Sequence, residues 1–205
     1  MSVVLYGSPF STFTWSARLA LAEKGVAYEL RPAQLGAPEY EALHPWRKMP
    51  VLEHDGWRCY EAAAVMRYVD EAFAGPALQP AEVRARARMT QWLSAYNDYV
   101  APHAIRGVLI PRFVLAPRGI PVDDTRVAEA AAKALGALRV FDAALADTPY
   151  LAGDAPSLAD WLVLPAFASG GPLSGADRYT DGLPHLDAWL GRLAARPSFA
   201  ATLPR

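Results

Sequence analysis

The sequence predicts an α/β domain with the element order βαβαββα, followed by a domain made only of helices. Short runs of β-branched residues alternate with helical patterns as far as residue 73, and no strand pattern appears in the rest of the 205-residue chain. Pro and Gly residues punctuate the stretch between these two regions, which indicates a linker. We therefore expect a first domain over residues 1–75, a linker over 76–81 and a helical domain over 82–205.

The first three elements follow one another closely along the chain. Residues 2–6 are rich in β-branched side chains and end at a Gly-Ser-Pro turn, which predicts a buried strand. Residues 12–24 carry apolar side chains at helical spacing and are followed by Gly25, a favoured residue after a helix. Residues 26–31 alternate apolar and polar side chains. This order is typical of a βαβ unit with parallel strands.

The rest of the first domain consists of short elements. A short helix is predicted over residues 38–43, and two short strands flank the turn Asp55-Gly56, which indicates a β-hairpin. A third helix is expected from Glu61 to residue 73, because apolar residues recur at helical spacing and Gly75-Pro76 follows.

Four helices are predicted in the second half, over residues 81–109, 123–146, 157–168 and 183–195. Pro102 lies inside the first of them and predicts a kink, because proline lacks an N–H and its ring clashes with the preceding turn. The sequence from Ser157 to Asp160 resembles a capping box with Asp in the usual place of Glu or Gln. We assign this motif to folding rather than to binding.

Composition and charge exclude several function classes. The 20 basic and 21 acidic residues are interspersed and give a formal net charge of −1, so we expect no nucleic-acid partner. No apolar run reaches the roughly 20 residues that span a bilayer, and the N-terminus lacks a signal-peptide pattern, so we expect no membrane association and no export. The single cysteine, Cys59, is interpreted as a small buried hydrophobe, and the absence of an internal disulfide favours the cytoplasm. The four histidines show no metal-ligand spacing, so no metal is expected.

Four stretches of sequence resemble the cytosolic glutathione S-transferase family, in its serine-using, bacterial-like form. They are LYGSPFSTFTWSARLALAEKG at 5–25, HPWRKMPVLEHDG at 44–56, YEAAAVMRYVDEAF at 60–73 and GDAPSLADWLVLP at 153–165. One of these alone is a weak signal, whereas all four in this order and spacing form a strong one. The resemblance spans essentially the whole chain and implies a thioredoxin-like glutathione-binding domain followed by an all-α domain.

Ser11 is the candidate residue for thiol activation. It follows the first strand and precedes the first helix, where backbone amides are unpaired. In the serine-using members that the chain resembles, a hydroxyl here donates a hydrogen bond to the glutathione sulfur and stabilises the nucleophilic thiolate. Serine is also a favoured N-cap residue, which leaves a structural interpretation open. Ser8 and Thr12 are the nearest alternatives, and Tyr6 is interpreted as a strand residue.

The resemblance places glutathione binding in the next two motifs. Met49-Pro50 opens the third strand and is expected to carry a cis peptide bond, which would turn the backbone of Met49 toward the cysteinyl part of glutathione. An ordinary proline at a strand start is the alternative. Lys48 and His44 lie where the family binds the glycine carboxylate, and Lys48 is the better candidate. Without the resemblance, a lone basic residue in a loop has no assigned role.

Glu61 and Ala62 correspond to the acidic residue and serine that hold the γ-glutamyl end of glutathione in the family. Ala62 removes one hydroxyl donor, a loss of about 0.5–1.5 kcal/mol if nothing replaces it. The backbone amides at the helix start can still hold a carboxylate, so we expect binding to persist in a weaker form. Independently of any ligand, Glu61 is a favourable acid at a helix start.

The second substrate is expected between the domains, opposite the thiolate. Most aromatic residues at helical spacing belong to the core. The preferred candidates for this wall are Phe13, Tyr99 and His103. The resemblance also implies a homodimer whose interface includes Arg84, Arg88 and Trp92.

The predicted activity is conjugation of the glutathione thiolate to small hydrophobic electrophiles, as in detoxification, with glutathione as co-substrate and no metal. An isomerase, a peroxidase or a dehalogenase on the same fold would share the thiolate site and stays open. A non-catalytic binding module of this fold also stays open, and Ala62 is the residue that most favours it.

Overall fold

The computed structural model describes residues 2–168 and 181–204, and its first seven elements follow the predicted order βαβαββα. The elements of this half are β1 (Val3–Gly7), α1 (Thr12–Glu23), β2 (Glu29–Pro32), α2 (Pro38–Glu41), β3 (Val51–His54), β4 (Trp57–Tyr60) and α3 (Ala62–Ala72). The predicted strands and helices are therefore present, with their ends shifted by a few residues.

The four strands form one mixed sheet in the order β2-β1-β3-β4. β1 and β2 are parallel, whereas β3 is antiparallel to both β1 and β4. A parallel pair needs a crossover connection, which α1 supplies between β1 and β2. Leu5 of β1, Leu52 of β3 and Val65 of α3 are fully buried in the core of this thioredoxin-like half. The predicted βαβ unit is thus confirmed.

Beyond α3, the described part of the chain contains helices and no further strand. The α-helices of this half are α4 (Val83–Ala95), α5 (Asp124–Ala144), α6 (Leu158–Ala168), α7 (Pro184–Ala194) and α8 (Pro197–Thr202). The buried helix α6 packs against α1, α3, α4 and α7. Helix α6 is therefore a main support of the sheet half by the helical half.

The prediction of one α-helix over residues 81–109 is wrong from residue 96 onward. The helix continues to residue 118, but with the wider π pitch over Tyr96–Val100, Pro102–Leu109 and Pro111–Leu115, and it ends in a 3₁₀ turn over Ala116–Arg118. Two of the π segments begin at a proline, which lacks the N–H that closes an α-helical turn. Apolar periodicity does not distinguish these two pitches in so short a stretch.

Helix α8 was not predicted. Its sequence signal is Pro197, because proline is favoured at the first position of a helix. The helix is only six residues long, too short for a periodic pattern to emerge.

The stretch between α3 and α4 is fixed by Asp70. Its Oδ1 accepts hydrogen bonds from Lys24 Nζ at 3.2 Å and from the Leu78 N–H at 2.8 Å, and its Oδ2 accepts one from Gln79 Nε2 at 3.0 Å. The Lys24 and Asp70 side chains are 3% and 7% exposed, so this ion pair is buried. It ties the end of α1 to the chain that enters the helical half.

The predicted motif at the start of α6 is buried, and its Asp160 side chain accepts from the Ser157 N–H as in a capping box. Asp160 Oδ2 accepts hydrogen bonds from the N–H of Ser157 at 2.8 Å and from its Oγ at 2.9 Å. Asp160 Oδ1 accepts from the Leu151 N–H at 3.0 Å and from Trp189 Nε1 at 2.8 Å. Burial raises the pKa of the Asp160 carboxyl, and these hydrogen bonds oppose the rise. The motif therefore joins α6, α7 and the loop before α6.

Candidate functional site

Three motifs meet at one end of the sheet because of the strand register. Tyr6 of β1 pairs with Val51 of β3, and Val51 pairs with Tyr60 of β4. The chain after β1, the chain before β3 and the chain after β4 therefore leave the sheet side by side. These three segments carry Ser11, the dipeptide Met49-Pro50 and Glu61 respectively.

Ser11 is the N-cap of α1. Its Oγ accepts a hydrogen bond from the Thr14 N–H at 3.3 Å, so the structural interpretation of this residue is confirmed. The hydroxyl hydrogen is not used in this bond and stays available for an acceptor outside the helix. Ser11 is half-buried and lies at the positive end of the helix dipole, which favours an anion beside it.

The alternatives to Ser11 are less well placed. Ser8 is half-buried, and its Oγ accepts from the Phe10 N–H at 3.3 Å, within the turn. Thr12 is buried in the first turn of α1. Tyr6 lies in β1, and Arg31 covers its ring and donates to its hydroxyl at 3.4 Å.

The Met49-Pro50 peptide bond is cis, as the resemblance implied. Pro50 is buried and Met49 is half-buried, while the Lys48 side chain is exposed. The C=O of Lys48 accepts a hydrogen bond from the Tyr40 hydroxyl at 2.7 Å. Burial raises the pKa of Tyr40 to about 12, so this hydroxyl keeps its proton and its hydrogen bond at neutral pH. Tyr40 thus anchors the segment before β3, and nothing in its sequence context indicated this role.

His44 is a buried neutral imidazole rather than a surface cation. It is 1% exposed, and its ring lies 4.8 Å from that of Tyr60. Its Nδ1 accepts a hydrogen bond from the Trp46 N–H at 3.3 Å, which assigns the ring proton to Nε2. Burial lowers the pKa of His44, and the nearby Glu61 carboxylate only partly offsets this. His44 is therefore available as a hydrogen-bond donor without a positive charge.

We expect His44 to make folding stability depend on pH. The pKa of His44 is lower in the folded state than its unfolded value of about 6.5, so the unfolded chain binds the extra proton. Stability is then full above pH 6.5 and falls as the pH drops below it, with a slope of at most about 1.4 kcal/mol per pH unit. Urea unfolding between pH 5 and 7 measures this slope.

His44→Asn is the matched control, because its amide oxygen can accept from the Trp46 N–H and does not titrate. The variant should lose less stability than the wild type over this window. Equal slopes for the two proteins would contradict the assignment.

Glu61 lies immediately before α3 with a backbone φ of 69°. A positive φ is uncommon for any residue other than glycine, and such strained residues cluster at ligand sites. The Glu61 side chain is exposed and does not cap the helix. The first amides of α3, beginning with that of the buried Ala62, therefore receive no bond from the N-cap side chain, and a helix start of this kind favours an anion. Sequence alone carried no signal of this backbone conformation.

The residues predicted for the second substrate make different contacts in the described part of the chain. The Phe13 ring packs edge-on against Tyr96 at 6.0 Å, at the start of the first π segment. Tyr99 and His103 instead line a groove of about 360 Å³ between this helix and α5, and Phe13 is not part of it. The other lining residues are Trp92, Ala95, Lys133, Ala137, Val140 and Phe141.

The remaining predicted residues lie outside the site at the end of the sheet. Arg84 and Arg88 are exposed on α4. Cys59 is half-buried rather than buried, and burial raises the pKa of its thiol, which fits an unreactive cysteine. Within residues 2–168 and 181–204, no three His, Cys, Asp or Glu side chains gather as a metal site. No helix in these ranges is both long and apolar enough to cross a membrane.

Both halves of the chain match known family models. Residues 5–77 match the glutathione S-transferase N-terminal domain, and residues 99–197 match the glutathione S-transferase C-terminal domain. Glutathione S-transferase F9 of Arabidopsis thaliana is 33% identical over 214 residues, covering 100% of this chain and 98% of that protein. Glutathione S-transferase 4 of Zea mays is 35% identical over 205 residues, covering 96% of this chain and 90% of that protein.

Solved structures agree with this result. The apo form of glutathione S-transferase III superposes with a TM-score of 0.88 at 29% identity, covering 99% of this chain and 96% of that one. A theta class glutathione S-transferase of Xanthomonas axonopodis pv. citri with glutathione bound gives a TM-score of 0.87 at 26% identity, covering 100% and 98%. The serine-using, bacterial-like character stays a prediction. The family itself is established: this chain belongs to the glutathione S-transferases, which are enzymes.

Proposed function

We propose that this enzyme conjugates glutathione to small hydrophobic electrophiles, and that Ser11 activates the thiol. The observation that carries the proposal is the position of the Ser11 hydroxyl at the N-cap of α1, where its oxygen accepts from the Thr14 N–H and its hydrogen is left to donate. A thiol with a pKa of about 8.5 is mostly protonated at neutral pH, and a donated hydrogen bond together with the helix dipole stabilises its anion. The thiol proton passes to solvent as the thiolate forms.

The thiolate sulfur then forms a bond to the electrophilic carbon. With an aryl halide, the carbon–halogen bond breaks and halide leaves; with an epoxide, the carbon–oxygen bond breaks and the alkoxide takes a proton from solvent. With an enone, the sulfur adds to the β-carbon and the enolate is protonated. In each case the enzyme supplies the activated thiolate and holds both partners in reach.

Glutathione would bind along the three segments that meet at the end of the sheet. Its γ-glutamyl carboxylate would lie on the first amides of α3, with Glu61 facing the α-amino group. Its cysteinyl part would pair with the backbone of Met49, as an added strand does. Its glycine carboxylate would meet Lys48 and the Nε2–H of His44.

Solved relatives support glutathione as the co-substrate. One structural neighbour carries bound glutathione, and another, glutathione S-transferase-I at 26% identity, carries lactoylglutathione. Ala62 supplies no hydroxyl at the γ-glutamyl end, so binding here would be weaker than with serine by about 0.5–1.5 kcal/mol.

We also propose the wider organisation implied by the family. Residues 1–75 would form the glutathione-binding domain, 76–81 the linker and 82–205 the domain that contributes the electrophile wall. The working form would be a cytoplasmic homodimer whose interface includes Arg84, Arg88 and Trp92 of α4, of which the two arginines are exposed and Trp92 is buried within the chain.

The test uses the purified full chain on immobilised glutathione, followed by a conjugation assay with a chlorinated dinitroarene. We expect retention that free glutathione reverses, and thiol consumption matched by conjugate formed. Retention with turnover of peroxides, maleyl compounds or haloalkanes only would replace conjugation by the peroxidase, isomerase or dehalogenase alternative. Neither retention nor thiol consumption would favour a non-catalytic binding module.

A further inference from the structure

The first turn of α1, which presents Ser11, is held by three separate elements. Thr14 packs so closely on Gly7 of β1 that a methyl group at Gly7 would overlap the threonine side chain. The Ser16 hydroxyl donates to the C=O of Leu162 in α6 at 3.1 Å. Trp15 Nε1 donates to Thr202 Oγ1 of α8 at 2.8 Å. Contacts to the sheet, to α6 and to α8 therefore fix this turn from three sides.

The contact with α8 joins residues at opposite ends of the chain. Trp15 and Thr202 are 2% and 3% exposed, so water does not replace their hydrogen bond if it is broken. The Thr202 hydroxyl also donates to the C=O of Ser198 at 2.8 Å, which orients its lone pair toward the indole. The ring of Phe199 packs on Trp15 at 5.5 Å. The indole is thus held in one position by both polar and apolar contacts.

A second polar contact fixes the direction in which α8 lies on α1. Ser198, at the start of α8, donates to the carboxylate of Glu23 at the end of α1. Arg196 binds the same carboxylate through two nitrogens, at 2.9 and 2.6 Å. Because Thr202 meets the start of α1 and Ser198 meets its end, the two helices run antiparallel. Ser198 and Thr202 are four residues apart and therefore lie on the same face of α8, the face that packs on α1.

We propose that Thr202 is a positioning residue for Ser11, acting through Trp15. The backbone N–H of Trp15 donates to the C=O of Ser11 at 2.8 Å, so a shift of the indole that displaces the Trp15 backbone also displaces Ser11. Loss of the Thr202 hydroxyl leaves a buried indole N–H without an acceptor, and the indole is driven to shift in search of one. The hydroxyl of Ser11 then no longer points at the sulfur. This inference rests on the proposed role of Ser11 in thiol activation.

The test compares Thr202→Val, Thr202→Ser and Trp15→Phe in the full-length enzyme. Valine keeps the shape of threonine without its hydroxyl, serine keeps the hydroxyl, and phenylalanine removes the donor from the other side of the bond. The ultraviolet absorbance of thiolate against pH gives the pKa of bound glutathione, and kcat/KM is measured over the same range.

We expect Thr202→Val and Trp15→Phe to raise the pKa of the bound thiol and to lower kcat/KM at pH 6.5 by about ten-fold, because small misplacements of a catalytic group have effects of this size or larger. The loss should shrink as the pH rises and the thiolate forms without help, which a general loss of stability would not produce. Thr202→Ser should restore the wild-type pKa. A double variant with Thr202→Val and Trp15→Phe should lose no more kcat/KM than either single variant, since both changes remove the same hydrogen bond.

A folded Thr202→Val enzyme with the wild-type thiol pKa and pH profile overturns the inference, and so does a Trp15→Phe enzyme with these properties if the valine variant does not fold. If the wild type itself leaves the pKa of bound glutathione near 8.5, the proposed role of Ser11 fails first, and the positioning role fails with it. The wild-type titration therefore distinguishes the two failures.

Discussion

Replacing Ser11 by alanine is expected to lower kcat/KM for conjugation about 10²- to 10³-fold, the usual loss when one donor to a reacting anion is removed. A hydrogen bond to a charged group contributes about 1.5–3 kcal/mol, so the pKa of the bound thiol should rise by about one to two units. Glutathione retention should persist, because the contacts proposed for the carboxylates of glutathione lie on other segments. Ultraviolet titration of the complex and steady-state kinetics measure both effects.

Capping and thiol activation by Ser11 can be separated with a second variant. Alanine also removes the acceptor of the Thr14 N–H, which costs about 0.5–2 kcal/mol of stability. Ser11→Asp keeps an acceptor at the N-cap but has no hydrogen to donate at neutral pH, so it should be stable and inactive. Ser8→Ala is the control and should stay close to wild type. An alanine variant at position 11 with full activity would remove the catalytic assignment and leave the fold unchanged.

The two local strand pairs were predicted from the sequence, whereas the pairing of β1 with β3, which brings the site together, was not. A strand, helix and strand in close succession predicted the parallel pair, and Asp55-Gly56 predicted the hairpin. Once β3 is antiparallel to β1, the start of β3 must lie beside the end of β1, so Pro50 and Ser11 come to the same edge. The cis peptide bond itself followed from the family resemblance and not from the residues alone.

Features set by tertiary packing were not predictable. The pitch of the helix after residue 95 changes from α to π, which alters the faces on which later residues lie. A helical wheel drawn with the α-helical period therefore does not give the faces on which Tyr99 and His103 lie. The positive φ of Glu61 is also imposed by its surroundings, because nothing in its side chain favours that conformation.

Replacing Asp160 by alanine is expected to lower the free energy of unfolding, measured with urea, by about 3–5 kcal/mol. This is the largest loss of stability expected among the variants described. The carboxylate accepts four hydrogen bonds, from Leu151, Trp189 and both donors of Ser157, and it is fully buried. Its removal leaves several buried donors without an acceptor, each at a cost of about 1–3 kcal/mol before relaxation.

Graded variants show whether the hydrogen bonds rather than the packed volume account for this loss. Asp160→Asn keeps the volume but can accept through only one of its two terminal atoms, so its stability should lie between wild type and alanine. Ser157→Ala removes a single side-chain donor and should cost least. An asparagine variant as stable as wild type would show that shape at this position matters more than the acceptor oxygens.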